Sequence, residues 1–252
     1  MKIKALIPNL FTMLNLFCGC VALVMISNLN FDWAFFFVCL GIFFDFFDGF
    51  FARKFGVAGP LGVQLDSLAD MVTSGVVPGY TIYRFLNEID IDEFVINHCI
   101  YQYKGADYIP YLGFVITLGA CYRLAKFNID TRQSDSFIGL PTPANALFFT
   151  SLPLLHIIPD NVNDAVNLNF TLLKIVLVVL VFLSAYVMNA EIPLFSLKIK
   201  NFSFAKYKLQ IFFLALSILL LAFLQILAVP LIIIIYVLLS VINNIVTKKA
   251  SV

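Results

Sequence analysis

Four carboxylates set the chemistry open to this chain. Asp45, Asp48, Asp66 and Asp70 fall within DFFDGFFARKFGVAGPLGVQLDSLAD (45–70), inside two segments that otherwise read as membrane-spanning. An ionisable residue at that depth is costly and is by default a functional-site hypothesis. The spacings i, i+3 and i, i+4 put Asp45 with Asp48, and Asp66 with Asp70, on one face of each helix. If the polar turn 53–59 reverses the chain, the two pairs meet at similar depth. There they repel one another unless they share protons or a hard divalent cation. Gly49 and Gly62 leave one side of each helix bare, so that a phosphate can approach. Pro60 suits the first turn of the second helix, whose N-terminus points a positive dipole end at an anion, and Arg53 is a ready bidentate phosphate ligand. Metal, phosphate and a spare carboxylate in one place point to phosphoryl-group transfer.

Such a cluster needs a membrane-embedded scaffold, and the composition supplies one. The 252 residues are 62% hydrophobic and 12% charged, with mean hydropathy +0.97 and net charge +1. That excludes a soluble globular domain and gives no reason to expect a nucleic-acid partner. At roughly 20 residues per bilayer crossing, about eight transmembrane segments emerge, near 6–27, 31–53, 60–86, 108–127, 140–158, 169–190, 206–227 and 229–246. No repeat or long linker divides them, so residues 1–252 read as a single all-α polytopic membrane domain. Met1–Lys4 is too short for a cleaved leader's charged region and no A-x-A site follows, so the first helix reads as retained.

Orientation follows from the basic residues. Lys2, Lys4, Arg53, Lys54, Arg123, Lys126, Arg132, Lys198, Lys200, Lys206, Lys208, Lys248 and Lys249 fall on one side, leaving only Arg84, Lys104 and Lys174. The opposite connections carry Asp32, Glu88, Asp90, Asp92, Glu93, Asp107, Asp160 and Asp164. Both termini and the carboxylate turn are therefore expected to be cytoplasmic, in an inner-membrane protein whose site faces the cytoplasm. Five cysteines show neither a disulfide framework nor zinc spacing, and His98 and His156, distant from the carboxylates, read as non-catalytic.

Two further features bear on the site. Asn9, Thr12 and Asn15 form a polar stripe on the first helix, which suits either interhelical hydrogen bonding or contact with a nucleotide or polar acceptor. Arg123, still within the fourth helix, needs a partner for a buried guanidinium, which a phosphate or a substrate carboxylate would serve.

The pattern D-x2-D-G-x2-A-R-x8-G-x3-D-x3-D, filled at every position from Asp45 to Asp70, resembles the signature of the CDP-alcohol phosphotransferase family. The stretches IPNLFTMLNLFCGCVAL (7–23), DSLADMVTSGVVPG (66–79), YRLAKFN with FIGLPTPANA (122–146) and NAEIPLFSLK (189–198) are similar to its serine-using branch, the integral-membrane phosphatidylserine synthases. The resemblance implies transfer of the phosphatidyl group from CDP-diacylglycerol to the hydroxyl of L-serine, giving phosphatidylserine and CMP, with Mg2+ or Mn2+ as cofactor. It implies that Asp45, Asp48 and Asp66 ligate metal, Asp66 being shared between ions. Asp70 is implied as general base within the same metal cluster. Gly49, Ala52, Arg53 and Gly62 are implied to line the CDP site, and the assembly to be a homodimer among membrane lipids. Two alternatives stand beside this reading. One is the same chemistry on glycerol 3-phosphate or an inositol phosphate. The other is a cation transporter using the intramembrane acids, which leaves Arg53 at its fixed offset from Asp48 unexplained.

Overall fold

The computed structural model describes residues 3–97, 108–130, 137–155, 170–195 and 208–250. His98, Cys99, Arg132, His156 and the basic run Lys198–Lys206 lie outside the described residues, as do the side chains of Asp90, Asp92 and Glu93. Among the described residues the fold is all-α apart from one minimal ladder. Helix α1 is Ile3–Ser27, α2 Phe31–Phe55 and α3 Pro60–Asp70, followed without a break by a π-helical turn, Met71–Val76, and α4, Val77–Asn97. After a 3-10 turn at Ile109–Phe114 come α5 (Val115–Ile129), α6 (Thr142–Ser151), α7 (Phe170–Asn189), α8 (Lys208–Leu224) and α9 (Ala228–Ala250).

Each segment expected from hydropathy coincides with helix, yet the crossings divide differently. Five stretches among the described residues are long and apolar enough to span a bilayer: Lys4–Ser27, Phe31–Phe55, Ile109–Ile129, Phe170–Asn189 and Lys208–Ile245. The expected segments 60–86 and 140–158 are not among them. The first runs on through the π-turn, but its acids and small polar residues leave it short of the apolarity a span needs, and in the second α6 gives way to a 3-10 turn, Leu152–Leu155, after ten residues. The last stretch holds two helices. It folds back at Gln225–Leu227, so that Phe213 of α8 meets Tyr236 of α9 with ring centroids 5.6 Å apart.

The outer surface shows what surrounds the protein. Phe43 and Phe46 on α2, Leu118 on α5, Phe182 and Tyr186 on α7 and Phe223 on α8 are all more than half exposed. Apolar exposure of that extent belongs against lipid tails, not water. Inside, Ile82, Leu86 and Ile89 of α4 pack with Ile116 of α5, Phe149 of α6 and Val181 of α7. Close approach of helix backbones rests on small residues, as is usual where lipid removes the hydrophobic drive between helices. A Cβ added at Gly113 would sit 2.8 Å from the Tyr83 nitrogen and 2.9 Å from the Gly79 oxygen. An antiparallel two-residue ladder, Phe137–Ile138 with Pro193–Leu194, ties the segment before α6 to the one after α7. Hydropathy carries no signal for so short a pairing.

Candidate active site

Local sequence sets where α2 ends and α3 begins. Asn30 caps α2, its side chain accepting from the Trp33 N–H, and Asp32 in the first turn with Arg53 and Lys54 in the last match the helix dipole. Gly56, at φ +62, takes the left-handed conformation that closes the helix, its N–H bonding back to Ala52 and Arg53. Gly59 is extended, and Pro60 restarts the helix at its first position. The turn does bring the acids together, but not by packing α2 flat on α3. Helix α1 runs along α2 and also supports α3, so a cleft stays open between the two acid-bearing helices with α1 as its third wall.

At the inner end of this cleft, one carboxylate oxygen from each of Asp45, Asp48 and Asp66 lies within 4.8 Å of the others. Asp48 is buried, and the other two are half-buried. Twice a typical Mg2+ or Ca2+ bond to oxygen, of about 2.1–2.6 Å, spans that separation. An all-oxygen donor set suits a hard cation such as Mg2+ or Mn2+ and not zinc or copper. Three crowded carboxylates away from bulk water also need a counter-charge. The residues therefore fit a divalent cation. Thr12 orients one member: its hydroxyl donates to Asp48 Oδ2 at 2.6 Å and is also 3.2 Å from the Pro8 carbonyl oxygen. Asp70 stands outside the group of three. It accepts from Asn15 Nδ2 at 3.1 Å and lies within hydrogen-bonding reach of Asp45, which also reaches Asp66.

The cleft has a volume of about 310 Å3 and gathers Asn9, Thr12, Asp48, Gly49, Ala52, Arg53, Gly62 and Asp66 along its walls. Its two helical glycines serve different purposes. At Gly49 a Cβ would lie 3.2 Å from Arg53 Nη1, so the bare face is a seat for the guanidinium. At Gly62 a Cβ would meet nothing nearer than Asn9 Oδ1 at 4.0 Å. Packing does not demand glycine there, and the space it leaves belongs to the cleft.

The remaining two candidates sit elsewhere. Asn15 is fully buried beneath Asp70 and does not line the cleft, so the polar stripe of α1 divides into two cleft residues and one internal residue. Arg123 is buried at the far end of α5, where Nη1 donates to the main-chain carbonyls of Ile138 and Met188. It borders a separate small depression with Lys126 and Asp130. Backbone carbonyls supply the partners of its Nη1, and Arg123 does not line the main cleft. Gly139, at φ +75, completes this knot: a Cβ there would stand 2.8 Å from Arg123 Nη1. Arg123→Met should therefore lower stability by about 1–3 kcal/mol, the cost of stranding buried carbonyls. A drop in melting temperature, with divalent-cation binding by the folded fraction unchanged, is the expected result.

Two contacts had no signature in the sequence. Ser67, next to Asp66, exchanges hydrogen bonds with Asn128 at the end of α5, at 3.1 and 2.9 Å, bracing α3. Glu191, an unexpected acid in a basic connection, faces Lys126 at 3.9 Å.

The CDP-alcohol phosphatidyltransferase family model matches residues 5–181, which include the three-walled cleft and all four acids. The chain is 32% identical over 222 residues to the CDP-diacylglycerol–serine O-phosphatidyltransferase of Helicobacter pylori strain 26695, covering 87% of this chain and 82% of that protein. It is 34% identical over 158 residues to the protein of the same name from Bacillus subtilis, covering 59% and 78%. Against the archaetidylserine synthase of Methanothermobacter thermautotrophicus it is 30% identical over 151 residues, covering 59% and 58%. A cleft that joins a three-carboxylate cluster to Arg53 and Gly62, in the frame that the family model spans, is decisive: this chain belongs to the CDP-alcohol phosphatidyltransferase family.

Proposed function

We propose that the protein transfers the phosphatidyl group of CDP-diacylglycerol to L-serine, giving phosphatidylserine and CMP. The observation that carries this is one cleft in which Asp48, Asp66, Arg53 and the open face at Gly62 converge, with Asp45 completing the carboxylate group beside it. Relatives named for serine as acceptor supply the acceptor's identity. Asp45, Asp48 and Asp66, with Asp70 beside them, would hold Mg2+ or Mn2+, which would supply positive charge against the diphosphate and departing CMP. Arg53, seated over Gly49, holds a phosphate in two-pronged fashion. Asn9 and Thr12 bound the nucleotide side, and Ala52 and Gly62 leave room for the diphosphate. Asp70 takes the proton of the serine hydroxyl as its oxygen bonds to the phosphorus that carries the diacylglycerol. The bond from that phosphorus to the bridging oxygen breaks, and CMP leaves with the oxygen.

The cleft mouth supports a lipid donor. Leu61 and Val63 line it and stand 61% and 47% exposed, an apolar sill where diacylglycerol tails can remain in the bilayer while CDP enters from water. On this reading the single domain of residues 1–252 crosses an inner membrane about eight times. Both termini and the site are cytoplasmic, as the basic residues require, and the protein works as a homodimer.

The test is CMP release by purified protein with CDP-diacylglycerol and Mn2+, across serine, glycerol 3-phosphate and inositol phosphates. Release with serine alone is expected. Release with a phosphorylated acceptor instead would keep the metal site and base but overturn the serine assignment. No release in protein that binds divalent cations would overturn the transferase reading in favour of transport.

A further inference from the structure

We infer that Asn15 is a positioning residue for Asp70, locked by the bare face of Gly41, and that it touches no substrate. The inference rests on the phosphatidyl-transfer reading above and deepens it. Asn15 is fully buried and absent from the cleft wall, yet three separate elements converge on it. Its Nδ2 donates to Asp70 Oδ1 at 3.1 Å. Its main-chain carbonyl accepts from Thr73 Oγ1 at 3.1 Å, and Thr73 belongs to the π-turn that begins immediately after Asp70. Its Oδ1 is buried and has no hydrogen-bond partner among the described residues.

That stranded oxygen is informative. Buried acceptors normally find donors, and an exception in a well-packed interior calls for a reason. Reversing the amide would pair Oδ1 with a carboxylate oxygen, so Asp70 dictates which way the group points. Gly41 of α2 makes that orientation possible. A Cβ at position 41 would lie 2.9 Å from Asn15 Oδ1 and 2.9 Å from Thr73 Cγ2, so any larger residue would push the amide and the π-turn away together. The slot thus ties α1, α2 and the π-turn into one gauge that sets the height and rotation of Asp70. With Oδ1 of Asp70 engaged by Asn15, its other oxygen is left for the acceptor hydroxyl. A misplacement of about 1 Å can cost about a hundredfold in rate, which is reason enough for such a device.

The experiment uses the full chain in lipid nanodiscs, with wild type, Asn15→Ala, Gly41→Ala and the double variant compared. The readouts are kcat, KM for CDP-diacylglycerol, the Mn2+ concentration giving half-maximal rate, and melting temperature. Asn15→Ala should lower kcat about 10- to 100-fold while leaving that KM and the Mn2+ requirement unchanged. Gly41→Ala, which keeps Asn15 but displaces its amide, should lower kcat in the same sense. The double variant should be no worse than Asn15→Ala alone, because both changes break one device. A wild-type kcat in Asn15→Ala would overturn the inference. So would a raised KM at unchanged kcat, which marks a substrate ligand, or additive losses in the double variant. If Asn15→Ala does not fold, the Gly41→Ala split between kcat and KM decides the matter. Release by wild type with an acceptor other than serine would sink the serine reading while this comparison proceeds on that acceptor. Release with none would sink both.

Discussion

Asp70→Asn is expected to leave CDP-diacylglycerol and divalent cation bound while cutting turnover by about a hundredfold or more, the range a positioned base supplies. The substitution is isosteric, so the side-chain oxygen can still accept from Asn15 and the packing under the cleft is retained. What it removes is the ability to take a proton. Asp70 lies outside the three acids whose oxygens share a 4.8 Å neighbourhood but reaches them at Asp45, so the Mn2+ titration tells a base from a cation ligand. Single-turnover CMP release, with equilibrium binding of CDP-diacylglycerol measured on the same sample, checks it. If binding is lost while Mn2+ affinity stays normal, Asp70 holds substrate and the base assignment falls. If the Mn2+ titration shifts instead, Asp70 belongs with the cation ligands. Serine itself is a weak nucleophile, so a variant that binds and turns over normally would leave the hydroxyl without any activating group in reach.

Much of this site was legible because it is written in helix periodicity. Asp45 with Asp48, and Asp66 with Asp70, share faces by spacing alone, and Gly56, Gly59 and Pro60 are turn chemistry that any reader of the chain can find. The convergence of the two pairs follows from one short turn. What spacing could not show is which helix faces what. Thr12 and Asn15 are three residues apart on α1, yet one meets the carboxylate cluster at Asp48 and the other lies sealed below Asp70, a difference set by α2 and the π-turn. The π-turn itself has no signature in MVTSGV. It exists because Thr73 and Gly75 meet partners from α1 and α5, Asn15 and Thr117, which are distant in sequence. The partners of Arg123 were hidden for a related reason. Its need for a partner was visible, but carbonyls at Ile138 and Met188 become available only when the two-residue ladder closes. Hydropathy located the helices, and it separated the two arms of Lys208–Ile245 as 206–227 and 229–246.

Asp66→Asn carries the second large effect, and two measurements of opposite sign define it. In the absence of metal, three carboxylates within 4.8 Å repel one another in a partly buried cluster, so neutralising one should raise the melting temperature of the apo protein. Wild type should gain stability as Mn2+ is added, by about 2.7 kcal/mol at a hundred times the dissociation constant. The variant should gain much less over the same range. Activity should fall with the same change, because a cation held by Asp45, Asp48 and Asp66 would steady the diphosphate: the Mn2+ requirement should rise by about tenfold to a hundredfold or more, and kcat should drop. A substitution that merely disturbed packing would lower the melting temperature with and without Mn2+ and leave the increment between them intact. Asp45→Asn provides the internal comparison, since Asp45 alone reaches both Asp66 and Asp70. Its loss should weaken metal dependence as Asp66→Asn does and also disturb the base. An unaltered Mn2+ titration in Asp66→Asn would remove that residue from the ligand set and leave Asp45 and Asp48 to hold the cation with the diphosphate alone.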